Sequence, residues 1–499
     1  MKRSLFSLIL AVLGCGSGPT HAGDALPPLS AVHLTAEATL APQHAFEDPA
    51  DPRNPSLPDS LRAMLAEGFG RYLAGPGEAP IARTLDDSTP PAPGPNARRW
   101  VRFAHLSDIQ LADDESPTRV AALDGPNALD SALRPQEANM CRILNAAVRT
   151  LNAIHAKDPL GFVLTGGDQT DSAQSNELAW VMGILDGGAE VECDSGEDDD
   201  PVPGPGNDGK DPFTPVGLAM PWYWVTGNHD VCVQGNFVVN QAVIDKATGD
   251  LAETGTRDWR SGQGLVVTGA VPKDARRRPL DREGLMRAIA ADQDGHGIQT
   301  PQIQLKKAFY TFDVPGTPLR FFVLDSAAES GGAAGVIHRQ DFEEVIQPTL
   351  AKAVTEGKLL VLASHHSLGG VGDASDFGGT KQDDAVPGQE LLAAFRAAPV
   401  VFEITGHAHV HRVEGRGSFW EVLTSALADH PHQMRVLEIW DQDNGYLMLR
   451  ATNVDFATEG DPIAEEGRSL GLVDRVSGWW AKGTGAIEDR NVELWVRRP

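Results

Sequence analysis

Hydrophobic and polar positions follow a layered pattern from about residue 100 onward. Short runs of β-branched and apolar residues alternate there with segments of helical periodicity, which is typical of sheets covered by helices. Between residues 136 and 155, apolar side chains recur every three or four positions, which predicts one helix packed on a sheet. The positions of this apolar face are Ala138, Cys141, Leu144, Val148, Leu151 and Ile154. The pattern therefore predicts an α/β fold that begins near Trp100.

The segments on either side of this region have a different composition. Residues 23–98 contain 13 of the 35 prolines, and proline interrupts both helices and sheet ladders. We expect a tether there that wraps around the body or hangs free, with one short helix near residues 60–73. The principal domain spans residues 99–455, and residues 456–499 predict a C-terminal extension with a short helix and a closing strand.

Polar side chains follow five of the predicted strands, at the point where each strand ends. The strands are predicted at residues 101–106, 161–164, 222–225, 359–362 and 400–404. In open α/β sheets, ligands bind outside the carboxyl ends of the strands, so we expect the residues that follow these strands to meet at one edge. In chain order they are Asp108 and Gln110; Asp168 and Asp171; Asn228, His229 and Asp230; His365 and His366; and His407 and His409.

Two acidic stretches lack the spacing of a calcium-binding loop. The first is an insertion at about residues 187–220, rich in Asp, Glu, Pro and Gly, and the second runs from Asp292 to Gly295. Neither has the alternating Asp/Asn positions and the distal Glu that such a loop needs. We interpret both as solvated surface loops and assign them no function.

The first 22 residues predict an export signal. Lys2 and Arg3 precede an apolar stretch at residues 4–13 that is too short to span a bilayer. The run ending at Cys15 resembles a bacterial lipoprotein cleavage site, with Cys15 as the lipidated residue, whereas Ala22 ends an ordinary signal-peptidase site. Both alternatives predict a protein outside the cytoplasm, in the periplasm or at the cell surface, with a membrane contact only through an N-terminal lipid.

The three remaining cysteines, Cys141, Cys193 and Cys232, would then be in an oxidising compartment, where disulfides form. Cys193 and Cys232 flank the acidic insertion, which predicts a disulfide between them. Cys141 lies on the apolar helix face and is expected to be an inert core residue.

Charge narrows the range of partners. The 69 acidic and 42 basic residues give a formal net charge of −27 at pH 7, which repels nucleic-acid backbones and anionic lipid alike. Apolar residues make up 41% of the chain, enough for a substantial core. We expect a folded protein with a small substrate and no nucleic-acid scaffold, whose oligomeric state the sequence does not indicate.

The polar residues at the predicted edge suit divalent cations. Carboxylate and amide oxygens with imidazole nitrogens are ligands for Mn, Fe, Zn or Mg, and no cysteine joins them. Taken singly, Asp108 or Asp168 is typical of a strand end or turn. Their order along the chain indicates a centre of two ions, about 3.5 to 4 Å apart, that holds both the attacking and the leaving oxygen of a displacement at phosphorus.

This ordered series resembles the motifs of the calcineurin-like metallophosphoesterases. The segments that carry the resemblance are Asp108-x-Gln110, Gly167-Asp168-x-x-Asp171, Gly227-Asn228-His229-Asp230, His365-His366 and Gly406-His407-x-His409. The resemblance implies an αββα sandwich of two mixed sheets flanked by helices. It also implies a phosphatase or phosphodiesterase, and further stretches look similar to an exported bacterial branch of the family.

By this resemblance, Asp168 would bridge two metal ions whose shared hydroxide attacks phosphorus. Asp108, Gln110 and His409 would hold the first ion, and Asn228, His365 and His407 the second, with His366 as an alternative to His365. His229, oriented by Asp230, would act as general acid at the leaving group. Asp171 is interpreted as a turn residue or a partner of a ligand.

Gln110 departs from the family pattern, which usually has histidine at that position. A neutral amide oxygen is a weaker ligand than imidazole, so we expect a looser first site with a bias toward Mn or Mg. The same departure favours an alternative function, a surface-anchored protein that binds phosphate ligands without turnover. A purple-acid-phosphatase-like centre is disfavoured because no tyrosine follows the predicted strands. Whether the substrate is a monoester, a diester, a nucleotide or a phospholipid stays open.

Overall fold

A computed structural model describes residues 26–44, 53, 55, 57–124, 132–196, 210–259, 264–292, 294–474 and 483–499. The predicted export signal, Cys15 and the centre of the acidic insertion lie outside these residues. Within them, no helix combines the length and the apolar character needed to cross a membrane.

The predicted sandwich of two mixed sheets with flanking helices is confirmed. The strands are β1 (Ala38–Pro42), β2 (Tyr72–Pro76), β3 (Ile81–Thr84), β4 (Arg98–Leu106), β5 (Val163–Thr165), β6 (Trp222–Tyr223), β7 (Cys232–Val233), β8 (Phe237–Val238), β9 (Leu251–Asp258), β10 (Leu265–Ala270), β11 (Tyr310–Asp313), β12 (Leu319–Leu324), β13 (Leu359–Ser364), β14 (Val400–Thr405), β15 (Arg412–Gly415), β16 (Trp420–Leu423), β17 (Gln433–Asp441), β18 (Tyr446–Asp455) and β19 (Val492–Arg497). The helices are α1 (Pro58–Ala66), α2 (Met140–Lys157), α3 (Ser175–Asp186), α4 (Gln241–Ala247), α5 (Arg282–Ala290), α6 (Thr300–Leu305), α7 (Arg339–Asp341), α8 (Gln347–Glu356), α9 (Gly388–Arg396), α10 (Pro462–Val473) and α11 (Ile487–Arg490).

The strands that precede the polar motifs lie side by side in the two sheets. One sheet has the order β3-β19-β18-β17-β4-β5-β6, and the other has β11-β12-β13-β14-β16-β15. β4, β5 and β6 run parallel, as do β12, β13, β14 and β16. Because parallel strands end at a common edge, the segments that follow β4, β5, β6, β13 and β14 emerge together.

Side chains on the inner strands alternate between two cores. Phe321 and Val323 of β12 face the space between the sheets, whereas Phe322 and Leu324 pack under the outer helices. Phe103 of β4 meets Phe321 edge to face at 5.2 Å between ring centroids, so the two sheets are in direct contact. This two-residue alternation is what a sheet buried on both faces requires.

The helix predicted at 136–155 is observed as α2, which begins four residues later. A 3-10 turn, Glu137–Asn139, precedes it. The predicted apolar face is buried, as expected, but Cys141 on this face forms a disulfide with Cys193. The prediction of a Cys193–Cys232 bridge was therefore wrong. Two arms of the insertion pair at Val191 and Phe213 and lie along α2, while Cys232 is buried, donates from Sγ to the Ala328 carbonyl at 3.3 Å and is free.

Both flanking segments contribute strands to the larger sheet. β3 comes from the proline-rich segment and pairs in parallel with β19 from the C-terminal extension. Thr35 donates backbone and side-chain hydrogen bonds to the Asn453 carbonyl of β18, and β1 pairs with β2. The described part of the predicted tether is thus held against the body.

Candidate metal centre

The loops after five strands converge on one cluster of polar side chains. The Asp108 amide donates to the Gly167 carbonyl at 3.1 Å, and the Gly406 amide donates to the His365 carbonyl at 3.0 Å. The His407 amide donates to both carboxylate oxygens of Asp108 at 3.1 Å. Backbone contacts between segments nearly 300 residues apart therefore place the predicted ligands together.

Potential ligand atoms in this cluster lie within coordinating range of a shared cation. Nε2 of His365 is 3.1 Å from Oδ2 of Asp168 and 4.0 Å from Oδ1 of Asp108. Nε2 of His409 is 3.3 Å from Oδ1 of Asp108. Asp108, Asp168 and His365 form one set with ligand atoms within 4.8 Å of one another, and His365, His366 and His407 form a second such set.

Five of the predicted ligands have a left-handed backbone. The φ angles of Asp108, Gln110, Asp168, His407 and His409 are 51°, 41°, 54°, 70° and 50°. Each such conformation costs a non-glycine residue about 1–3 kcal/mol and persists only where the surroundings enforce it. This concentration of strain is typical of a functional site.

Two glycines allow the loops to approach closely. A Cβ atom on Gly227 would lie 2.0 Å from Oδ1 of Asp168, and one on Gly406 would lie 2.0 Å from Oγ of Ser107. Any other residue at these positions would displace the carboxylates. The glycines in the Gly227-Asn228 and Gly406-His407 motifs therefore have a steric role.

Two buried ligand atoms lack a hydrogen-bond partner, as a cation site requires. Nδ2 of Asn228 donates to the Gly235 carbonyl at 3.1 Å, which leaves Oδ1 unsatisfied. Nδ1 of His365 donates to the Gly166 carbonyl at 2.8 Å, so Nε2, which has no hydrogen-bond partner, is the nitrogen that faces Oδ2 of Asp168 at 3.1 Å. Burial without a partner is costly, and a bound divalent cation would satisfy both atoms. The residues present therefore fit a metal centre.

His366 is unsuited to the role of ligand, although its ring lies 4.8 Å from that of His365. Its Nδ1 accepts from the Ser326 hydroxyl at 2.9 Å, and its Nε2 donates to the Ala333 carbonyl at 2.9 Å. Both nitrogens are thus engaged, which favours His365 of the two candidates.

The side-chain oxygen of Gln110 accepts a hydrogen bond from the guanidinium group of Arg134. Nη2 of Arg134 donates to Oε1 of Gln110 at 2.7 Å, and Nε2 of Gln110 lies 3.5 Å from Oδ2 of Asp168. A guanidinium only donates, so the amide oxygen must face Arg134. The atom that Gln110 turns toward the Asp168 carboxylate is therefore a donor. The oxygen of Gln110 would bind a metal ion only through its remaining lone pair, while it also contacts the positive charge of Arg134.

His409 is held by a buried carboxylate that the sequence did not single out as functional. Nδ1 of His409 donates to Oδ2 of Asp429 at 2.6 Å, and Nε of Arg134 donates to Oδ1 of the same carboxylate at 2.7 Å. This contact makes Nδ1 the protonated nitrogen and leaves Nε2 facing Asp108. Metal-bound histidines are commonly oriented in this way.

His229 is oriented by Asp171, and the prediction that Asp230 does so was wrong. Nδ1 of His229 donates to the Asp171 carbonyl at 2.8 Å and lies 3.4 Å from Oδ1 of that residue. Its Nε2 faces the centre, 3.9 Å from Oδ2 of Asp168, and the side chain is 17% exposed. The Asp230 carboxylate points away and accepts four backbone N–H groups, from Asp168, Gln169, Thr170 and Gly227.

The carboxylates give the centre a strongly negative potential. Burial lowers the pKa of His365, but the nearby Asp168 carboxylate outweighs it and raises the pKa to about 9. Burial likewise opposes charge on His409, yet Asp108 and then Asp429 raise its pKa to about 10. Burial and the neighbouring His365 lower the pKa of His407 to about 4. Excess negative charge of this kind attracts cations, and a metal would compete with protons on His365 and His409.

Comparison with known proteins gives only remote similarity. No protein-family model matches the chain, and no curated protein matches it in sequence. A dimetal phosphatase from Danio rerio has a TM-score of 0.41 and 13% identity, covering 72% of this chain and 100% of its own. A purple acid phosphatase from yellow lupin seeds has a TM-score of 0.31 and 12% identity, with coverages of 76% and 54%. A putative 5′-nucleotidase from Staphylococcus aureus has a TM-score of 0.32 and 12% identity, with coverages of 73% and 57%. Similarity this weak assigns neither a family nor an activity to the chain.

Proposed function

We propose that this protein hydrolyses phosphoric mono- or diesters with two divalent cations, outside the cytoplasm. The observation that carries the proposal is the buried, strained cluster in which Oδ1 of Asn228 and Nε2 of His365 are both unsatisfied, the latter 3.1 Å from Oδ2 of Asp168. Oxygen and imidazole ligands without thiolate suit Mn, Fe, Zn or Mg.

Each residue has a defined task in this centre. Asp108, His409 and, more weakly, Gln110 would hold one cation, and Asn228, His365 and His407 the other, with Asp168 shared between them. Such a pair supplies a nucleophilic hydroxide at neutral pH and neutralises charge on the phosphoryl oxygens. Asp429 and Gly166 hold His409 and His365 in the tautomer whose Nε2 is available as a ligand.

His229 is placed to give a proton to the leaving oxygen. Its Nδ1–H is fixed by the Asp171 carbonyl, and its Nε2 is directed to the centre. Burial opposes protonation of this ring, but Asp168 and Asp171 raise its pKa above the usual value, which favours the ring that carries its second proton on Nε2. Transfer of that proton as the phosphorus–oxygen bond breaks avoids expulsion of an unstable alkoxide.

The disulfide supports the proposed location. A buried Cys141–Cys193 bridge is typical of proteins that leave the reducing cytoplasm. It agrees with the export signal predicted at residues 1–22, with Cys15 as the alternative lipid site.

The test is hydrolysis by the chelated and remetallated protein. We expect release of p-nitrophenol from p-nitrophenyl phosphate, bis-p-nitrophenyl phosphate or both when Mn²⁺ is returned, and about a 10²- to 10⁴-fold lower kcat in His229→Ala with metal content unchanged. Exposed His33 provides the control His33→Ala, which should behave like the wild type.

Arg134 beside Gln110 favours one alternative, a phosphate-binding protein whose first site is too weak for turnover. It predicts no hydrolysis of either ester by any variant, together with metal-dependent binding of inorganic phosphate. Hydrolysis that depends on both Mn²⁺ and His229 would exclude it.

A further inference from the structure

A second cluster of potential ligands lies away from the metal centre. It comprises Asp186 at the end of α3, and Asp292, Asp294 and His296 in the turn that follows α5. Asp292 and Asp294 belong to the acidic stretch that has no calcium-loop spacing. The structure nevertheless joins this stretch to a carboxylate more than 100 residues earlier in the chain.

The ligand atoms of three of these residues surround one point. Nε2 of His296 is hydrogen-bonded to Oδ2 of Asp292 at 2.7 Å and lies 3.6 Å from Oδ1 of Asp186, so a cation bound here would replace the proton shared by His296 and Asp292. All three atoms lie within 4.8 Å of one another. Ligands at 2.0–2.2 Å in a tetrahedron around zinc are about 3.3 Å apart, and the two distances from Nε2 of His296, 2.7 and 3.6 Å, lie on either side of this value.

The imidazole is buried and has an unsatisfied nitrogen. The His296 side chain is 2% exposed, and its Nδ1 makes no hydrogen bond, although Oδ1 of Asp294 lies 2.9 Å away. A neutral histidine that binds a metal through Nε2 carries its proton on Nδ1, where a small rotation would bring it into line with Asp294. A carboxylate at this position is the usual partner of a metal-bound imidazole.

Trp222 holds both His296 and Asp186 in place. Its ring stacks on the His296 imidazole with centroids 3.5 Å apart and an angle of 16° between the planes. Its Nε1 donates to Oδ1 of Asp186 at 2.9 Å. The same buried side chain thereby orients the His296 ring and the Asp186 carboxylate. This lowers the conformational entropy that these two side chains would lose on binding an ion.

Charge and exposure favour a cation at this point. Three carboxylates surround a single imidazole, and burial and the neighbouring Asp292 raise the pKa of Asp186. The side chains of Asp186 and Asp292 are 32% and 34% exposed, so a hydrated ion can enter and retain water. One imidazole with carboxylates is a donor set for Zn²⁺ and less suited to Ca²⁺, which prefers oxygen ligands throughout.

We propose that Asp186, Asp292 and His296 bind a zinc ion, with Asp294 as the partner of His296 Nδ1. The ion would link the end of α3 to the turn after α5, beside Trp222 at the start of β6. It is separate from the ions of the metal centre.

Equilibrium dialysis against Zn²⁺, followed by metal analysis, tests the assignment. Asp292→Asn and Asp186→Asn should each bind one zinc per chain fewer than the wild type, with phosphoester hydrolysis unchanged. Asp245→Asn, which alters an exposed carboxylate on α4, should bind as many as the wild type. Equal zinc content in all four proteins would overturn the proposal.

A zinc-edge anomalous map of the wild-type protein gives an answer even if the variants fail to fold. A peak bounded by Asp186, Asp292 and His296 is expected. A map without a peak there, at a zinc concentration that occupies Asp168 and His365, would overturn the proposal. Either result leaves the proposed hydrolysis untouched, because these residues take no part in it.

Discussion

Nδ1 of His409 donates a 2.6 Å hydrogen bond to Asp429, and this contact determines which ring nitrogen faces Asp108. Asp429 is itself fixed by Arg134, which also binds Gln110. The proposed first metal site therefore depends on two residues that need not touch a cation.

Asp429→Asn should weaken cation binding at the proposed first site by about 10- to 100-fold, because the single amide oxygen cannot accept from both Arg134 and His409 as the two carboxylate oxygens do. Competition with a chromogenic chelator measures the affinity. The matched control is Asp461→Asn, since Asp461 is also buried and paired with an arginine, Arg142, at 3.2 Å. Equal affinities in Asp429→Asn and the wild type would show that His409 needs no such partner.

Gln110→His should increase the zinc retained through a fixed period of chelation. An imidazole nitrogen is a stronger ligand for zinc than an amide oxygen that already accepts from Arg134. Metal analysis before and after dialysis gives the content, and Gln340→His on the exposed face of α7 corrects for an added surface histidine. Unchanged content and unchanged retention would contradict a weak first site.

Asp230→Asn should destabilise the chelated protein by about 2 kcal/mol or more in urea unfolding. An amide offers one acceptor oxygen where the carboxylate serves four backbone N–H groups, and each buried unsatisfied donor costs about 1–3 kcal/mol. If turnover fell while the unfolding free energy stayed the same, Asp230 would act on His229 as the sequence had suggested.

A buried acidic pair outside the centre gives a pH-dependent prediction. Glu403 on β14 lies opposite Glu421 on β16, and burial together with Glu421 raises the pKa of Glu403 to about 8. The folded chain therefore holds a proton that the unfolded chain releases near pH 4.5, so stability falls as pH rises between about 4.5 and 8.

Glu403→Gln should remove this part of the dependence, since the amide mimics the protonated acid. Urea unfolding in chelator at intervals of one pH unit should give a wild-type free energy that falls by up to about 1.4 kcal/mol per unit more steeply than that of the variant. Parallel profiles for the two proteins would mean that Glu403 titrates at an ordinary pKa.

The sequence predicted which side chains converge at one edge because these residues directly follow parallel strands. The order of the strands in the two sheets is enough to bring five of these side chains together: Asp108, Asp168, Asn228, His365 and His407. Asp429 and Arg134 lie in irregular segments without periodicity, so no pattern relates them to His409.

Long-range pairing explains most of the remaining differences. The pairing of β3 with β19 joins segments about 400 residues apart, and proline content alone suggested a tether. Because Cys141 lies on an apolar helix face, the pattern predicted a core residue there and not the disulfide that it forms with Cys193. The distinction between Asp171 and Asp230 at His229 depends on a turn geometry that adjacency in sequence does not reveal.

An anomalous difference map collected at the manganese edge shows where cations bind in the loaded protein. We predict two peaks within bonding distance of the Asp168 carboxylate, one also reached by Asp108 and His409 and the other by Asn228, His365 and His407. Crystals that hydrolyse p-nitrophenyl phosphate yet show no manganese at Asp168 would contradict the two-cation centre.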